Sequence, residues 1–356
     1  MKRSAPPLGA PLDDRATNVV VSLLERFWLG RVTAADYADE RAVRGADAPL
    51  TLLVTGRTVV AQDNDVVALT FAAPDGATLP AWQPGSHLDL HLPSGRRRQY
   101  SLCGDPQDRS RYRIAVRRIP DGGGGSLEMH ALSVGDTVTV RSPRNGFPFI
   151  PYERALYIAG GIGITPVLPM VLAAQRLGTD WHFVYCGRSA ATIPFLDEIA
   201  SWDPSRVTIR FDDEHGLPTV DDLLGHAPAG GAVYVCGPPP MIETVRQNFD
   251  RSGAAALHFE RFSAPPVRDG TAFEIELARS GEVLPVAADE TVLDALVRHR
   301  PDTAYSCRQG FCGTCRVGVL AGTAEHRENR LTAEERETSM LPCVSRSLTS
   351  RLTLDI

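Results

Sequence analysis

The sequence predicts a multidomain chain: a small antiparallel β-barrel, an α/β domain on a parallel sheet, and a compact α+β domain. Three observations predict it. From about 47–150, short apolar runs recur between Gly, Pro and Asp turns with few helical stretches, the spacing of a small barrel. From about 151–266, strands alternate with helical segments, the pattern of a wound parallel sheet. From about 271–356, a hairpin, a helix and a closing strand surround a run of cysteines.

The elements follow in order. Residues 1–46 begin with a Pro-rich stretch expected to be disordered, then Val19–Arg41 takes a helical rhythm through Leu23, Leu24, Phe27, Trp28 and Leu29. That helix reads as one packed on the body of the protein, with docking to a partner as the alternative. Barrel strands are expected at Leu50–Val60, Asp65–Phe71, His87–Leu92, Gln99–Leu102, Tyr112–Arg117 and Thr137–Arg141. The parallel sheet takes Ala155–Ala159, Trp181–Cys186, Val207–Phe211 and Ala232–Val235. The last domain takes a hairpin of Phe273–Leu277 with Val283–Ala287, a helix at Thr291–His299 and a strand at Arg351–Asp355.

The formal charge of −6 recommends no nucleic acid as partner. Lys2 and Arg3 are followed by prolines and acids, not by the apolar core of a secretory leader. The uncharged window Ala155–Ala174 holds Gly160, Gly161, Gly163, Pro166 and Pro169, and so reads as strand, turn and helix start, not as a membrane span. Free thiols in such a chain point to the reducing cytoplasm.

Cys307, Cys312 and Cys315 are spaced C-x4-C-x2-C, with Cys343 further on. That is the plant-type ligand spacing of a [2Fe–2S] cluster. Gly310 and Gly313 let the backbone curl round inorganic sulfide with N–H groups aimed inward. A zinc knot usually pairs two tight C-x2-C units, and a disulfide framework suits small secreted chains. Such a cluster moves single electrons, so it needs another one-electron carrier or a cofactor that splits a pair.

Tyr157–Pro166 reads as a strand, a turn of Gly160, Gly161 and Gly163, and a helix opened by Thr165 and Pro166. Backbone N–H groups at such a helix start attract an anion. Val233–Met241, with Cys236, Gly237 and Pro238, ends a later strand of the same sheet, on the rim where open α/β sheets bind ligands. Together they suit a nicotinamide dinucleotide. Arg188, ending another strand, would meet adenine, ribose or a 2′-phosphate. No basic cluster surrounds it, which favours NADH over NADPH.

In the barrel, Arg98, Tyr100 and Leu102 alternate with Ser101 along one strand. Gly124, Gly125 and Ser126 precede a short helix through His130, an arrangement that suits a phosphate with Arg98 as counter-charge. A plain edge strand with a solvated basic run is the bland alternative, and His130 reads as structural.

With these motifs the chain resembles the phthalate dioxygenase reductase family over about 47–356. R-x-Y-S-L stands at Arg98–Leu102, the glycine–serine loop at Gly124–Ser126, G-G-I-G-I-T-P at Gly160–Pro166, and C-G-P at Cys236–Pro238. The resemblance implies FMN in the barrel, with FAD as alternative, NADH on the central domain, and a β-grasp [2Fe–2S] ferredoxin domain. It implies that Tyr100 and Ser101 lie against the flavin ring and that Arg98 and Ser126 hold its phosphate. Thr165 and Cys236 would flank the nicotinamide. Phe259–Phe262 matches the family's E-x-F, making Glu260 part of the reactive site and Phe262 a cover for the flavin face. The implied function is electron transfer from NADH through FMN and the cluster to an iron oxygenase, Rieske-type or similar. That partner is expected to dock near Arg308, Gln309, Phe311 and Thr314. A stand-alone flavin or ferric reductase and a redox-sensing iron–sulfur flavoprotein are the competing readings.

Overall fold

The computed structural model describes residues 49–63, 65–120, 123–328 and 330–356. The extension at 1–46, with its expected helix, lies outside the described residues.

Six antiparallel strands form the first lobe: β1 (Leu50–Ala61), β2 (Val66–Ala72), β3 (Ser86–His91), β4 (Arg97–Ser101), β5 (Tyr112–Arg117) and β6 (Thr137–Asn145). Their order is β4-β3-β6-β1-β2-β5. An antiparallel bridge from Leu102 to Ile114 joins the two ends, with the Cys103 N–H donated to the Arg113 carbonyl at 2.8 Å. The sheet thereby closes into the expected barrel. Register shifts at Val54/Gly56 and Val59/Ala61 bend β1 around it. Alternate residues such as Leu52, Val54, Leu69, Phe71, Leu88, Leu90, Ile114 and Val140 fill the interior. Helix α1 (Gly125–Ala131) seats Met129 on that core.

The second lobe is a parallel sheet of β7 (Arg154–Gly160), β8 (Asp180–Gly187), β9 (Val207–Phe211), β10 (Ala232–Cys236) and β11 (Ala256–Glu260), in the order β11-β10-β7-β8-β9. The winding reverses between β7 and β10, so the carboxyl ends of those neighbours form the crevice where such sheets bind ligands. Helices α2 (Ile164–Leu177) and α3 (Pro239–Asn248) follow β7 and β10. Tyr157 and Ala159 face one apolar layer while Leu156 and Ile158 face the other. The first layer also holds Ala68, Cys103 and Ala115 of the barrel, so the two lobes share a core.

The third lobe orders its strands β13-β12-β18-β14-β16, from β12 (Phe273–Leu277), β13 (Val283–Val286), β14 (Val317–Ala321), β16 (Ser339–Met340) and β18 (Arg351–Leu354). A two-stranded ribbon pairs β15 (Ala324–Glu325) with β17 (Arg346–Ser347). Strands β12 and β18 run parallel, and α4 (Val292–His299) lays Val292, Ala295 and Leu296 on the sheet, a β-grasp. Thr291 caps α4 by accepting the Asp294 N–H at 3.0 Å. A final short helix, α5 (Ala333–Thr338), precedes β16. Among the described residues no helix is long and apolar enough to cross a membrane. The uncharged window at 155–174 is β7, its turn and most of α2.

Candidate functional site

The crevice between β7 and β10 is built by glycine contact. A methyl group on Gly163 would lie 2.2 Å from the Cys236 carbonyl oxygen, and one on Gly160 would lie 2.5 Å from Pro238. Gly161 holds φ +53°. The two loops expected to hold a dinucleotide therefore touch backbone to backbone, which a side chain at either contact would prevent. Thr165 and Pro166 are buried in the first turn of α2, and the Thr165 hydroxyl donates to the Ile162 carbonyl at 3.0 Å. Pro166 costs that turn no hydrogen bond, because the first helical N–H groups have no acceptor. Further along the rim, Arg188 is exposed. Beside it stands Asp212, which the sequence reading did not single out. Its Oδ1 is buried without a partner, and burial raises its pKa against the pull of Arg210 and Arg188.

Three expected residues converge where barrel and sheet meet. Cys236 and Glu260 are register partners at the ends of β10 and β11. The Ser101 hydroxyl, from the barrel, interacts with the Glu260 carboxyl. Burial pushes Glu260 up to about 8, and the Ser101 hydrogen bond offsets only part of that. Its Oε2 has no partner within the protein. Burial, with Glu260 nearby, drives the Cys236 thiol well above its ordinary value, so it stays neutral. The site thus brings together a carboxyl with a raised pKa, a neutral thiol and a hydroxyl. Phe262, just beyond, is 49% exposed.

The folded chain keeps a proton on Glu260 between the usual carboxyl range and about 8, where the unfolded chain has released it. Stability therefore falls as pH rises through that window. The thermal midpoint should drop from pH 5 to pH 8 in the wild type and drop less in Glu260→Gln. Equal drops would place the titration elsewhere.

In the barrel, Arg98 crosses the start of α1. Its Nη2 donates to the Gly123 carbonyl at 3.4 Å, and a methyl on Gly125 would come within 2.6 Å of its Nε. Gly123 and Gly124 hold φ of +71° and +83°. Ser126 turns inward, accepting the Ile119 N–H at 3.0 Å and donating to the Ile119 carbonyl at 3.1 Å. Tyr100 is partly buried, and desolvation raises its phenol far above normal, while Leu102 is wholly buried in the barrel core. His87 Nε2 and Gln99 Nε2, on β3 and β4, are buried without partners and would suit the polar edge of a bound ring. His130 bonds the Val116 carbonyl at 2.9 Å, the structural role expected of it.

The four thiols come in two pairs. Cys307 stands within hydrogen-bond reach of Cys312, and Cys315 within reach of Cys343. Among the described residues no three His, Cys, Asp or Glu surround a single ion position. Two thiol pairs fit a binuclear centre, in which each iron takes two thiolates. The Gln309 and Thr314 N–H groups point at Cys307 and Cys312 Sγ at 3.3 and 3.5 Å. Gly310, at φ +82°, lies where a methyl would strike Val344 at 2.7 Å.

One expectation is corrected here. Gln309 and Phe311 do not form an outward docking face. Gln309 donates to the Arg261 carbonyl, and Phe311 meets the His87 ring edge-on at 5.8 Å. A methyl on Gly146 would lie 3.1 Å from the Phe311 ring. Ser306 donates to Asp89 at 2.9 Å, and Arg98 lies 5.5 Å over the Tyr305 ring. This packing covers part of the Phe311 ring, which stays half-buried. Arg308 pairs with Asp294, and Thr314 stays partly exposed.

Three family profiles match in sequence. An oxidoreductase FAD-binding domain matches residues 52–149, an oxidoreductase NAD-binding domain 157–247, and a 2Fe-2S iron–sulfur cluster binding domain 275–348. Among curated relatives, phenoxybenzoate dioxygenase subunit beta of Ectopseudomonas oleovorans is 41% identical over 301 residues, 82% of this chain and 93% of that one. Phthalate dioxygenase reductase of Burkholderia cepacia is 34% identical over 319 residues, 87% of this chain and 98% of that one. A solved structure of phthalate dioxygenase reductase aligns with TM-score 0.65 at 34% identity, covering 87% of this chain and 98% of the other. An intact type IV self-sufficient cytochrome P450 monooxygenase aligns with TM-score 0.66 at 36% identity, over 86% of this chain and 41% of that one.

Proposed function

The chain belongs to the phthalate dioxygenase reductase family, and from that premise we propose that it carries electrons from NADH through FMN and a [2Fe–2S] cluster to an iron oxygenase. It is an oxidoreductase with flavin-, NAD- and cluster-binding domains. One observation carries the reading. The three lobes meet around a single point, where Ser101 faces Glu260 and Cys236 while Gln309 of the cluster loop bonds Arg261, the next residue.

The bound cofactors supply hydride acceptance and single-electron transfer; the protein aligns and tunes. The glycine loops at Gly160–Gly163 and Cys236–Pro238 hold the dinucleotide at the sheet rim. Ser101 and Glu260 stand at the reacting edge as a hydrogen-bonded pair, and buried Cys236 fills the face beside it. Cys307, Cys312, Cys315 and Cys343 hold the cluster. Arg98 supplies the charge for the flavin phosphate.

The family resemblance supports FMN as the flavin, and acid extraction followed by chromatography should return FMN; recovered FAD would reject it. One detail bears on the dinucleotide. Asp212 suits a ribose hydroxyl and repels a 2′-phosphate. Asp212→Asn should narrow the preference for NADH over NADPH by about tenfold in kcat/KM. An unchanged ratio would remove Asp212 from the site.

The names of relatives, among them a tert-butanol monooxygenase reductase subunit of Aquincola tertiaricarbonis, 38% identical over 320 residues, support an oxygenase as acceptor. Steady-state assays with NADH and candidate oxygenases test that choice. An isolated reductase that delivers nothing to any iron oxygenase, yet reduces free flavin rapidly, would reject it.

A further inference from the structure

We propose that the cluster loop has two faces: residues 305–311 receive electrons from the flavin lobe, and a rim of Gly313, Thr314 and Arg330 delivers them to an acceptor protein without the lobes separating. This rests on the relay function above.

The receiving face is occupied. Ser306 is bonded to Asp89, itself 4% exposed and 3.7 Å from Arg144. Phe311 is packed on His87 and Gly146, and Gln309 is tied to Arg261. A protein acceptor using this face would first have to break all of these contacts.

The other rim is open. Gly313 holds φ +75°, and a methyl there would meet nothing nearer than Arg330 Cγ at 4.0 Å. Arg330 and Arg316 are exposed and Thr314 partly so. Cys312, the partly exposed member of the four thiols, has the Thr314 hydroxyl 3.3 Å from its sulfur and accepts the Thr314 N–H. Cys312 and Thr314 thus both reach the protein surface on this rim. Among the described residues no hydrogen bond, ion pair or ring contact ties 312–316 to the barrel or the parallel sheet; Arg316 pairs with Glu335 in the same lobe. With Arg308 already paired to Asp294, Arg330 gives this rim a cation suited to an acidic acceptor.

The overall step conserves electrons and protons. One NADH and two oxidised one-electron acceptors yield NAD+, two reduced acceptors and one proton released to solvent.

Cytochrome b5, an acidic one-electron haem protein, serves as the probe. A protein carrying Asp89→Cys with Ser306→Cys is oxidised to join the lobes, and compared with the same protein re-reduced and desalted. NADH-driven cytochrome b5 reduction should differ by no more than about threefold between the two forms. A loss above about tenfold on locking would overturn the two-face arrangement. On wild-type protein, hydrogen–deuterium exchange with cytochrome b5 present should slow at 312–316 and 330–332 and stay constant at 305–311. Slowing at 305–311 would overturn it whether or not the cross-link forms. Arg330→Glu should cut the rate about tenfold at low ionic strength, with less effect in salt. A rate unmoved by that change overturns the rim as the contact. If NADH cannot bleach the flavin at all, the relay function itself fails, a result distinct from each of these.

Discussion

In a Cys315→Ala protein, NADH-driven reduction of cytochrome b5 is expected to fall by more than about a thousandfold while ferricyanide reduction stays within about threefold. Cys315 is buried beside Cys343, so its loss would remove one of the four thiolates that would hold the cluster. The lobe should still fold, since its main core of Ile275, Leu284, Leu296 and Leu352 does not contain the thiols and the smaller cluster of Leu293, Leu331, Leu341 and Cys343 loses only one sulfur. The barrel and parallel sheet share their own core and keep the hydride chemistry intact. Ferricyanide, a small oxidant, takes electrons at the flavin. Parallel loss of both activities would mean that the cluster also supports the flavin site.

Gly163→Val should give the opposite pattern. Even the first carbon of the new side chain would fall 2.2 Å from the Cys236 carbonyl, a backbone atom that cannot step aside. The two loops of the crevice must part, and misplacement of this order costs about a hundredfold in rate. Flavin reduction by NADH should fall by that factor, while dithionite reduces the cluster as before. A normal NADH rate in this variant would mean that the crevice between β7 and β10 is not the nicotinamide site.

Much of this was legible in the chain because its signals are local. The run Cys307–Cys315, the glycine turn after β7 and Cys236–Pro238 each sit within a dozen positions, and the fold brings each to a strand end or loop. Strand β11 escaped because Ala-Leu-His-Phe-Glu is half exposed and lacks the apolar run of a buried parallel strand. Strand β14 escaped because Gly318 interrupts a short segment directly after the cluster loop. The role of Phe311 was illegible for a different reason. Its partners lie on strands and turns far away in sequence, as Ser306 and Asp89 do across 217 positions. No periodicity links such residues; only the shared packing of the lobes does. The raised Glu260 has the same origin, since its burial depends on the barrel closing over the end of β11.

Anaerobic stopped-flow mixing with one equivalent of NADH tests the relay most directly. Flavin absorbance should bleach first, and the cluster's rhombic paramagnetic signal should rise afterwards at the rate at which the flavin colour partly returns. A cluster signal that appears before any flavin bleaching would contradict the account.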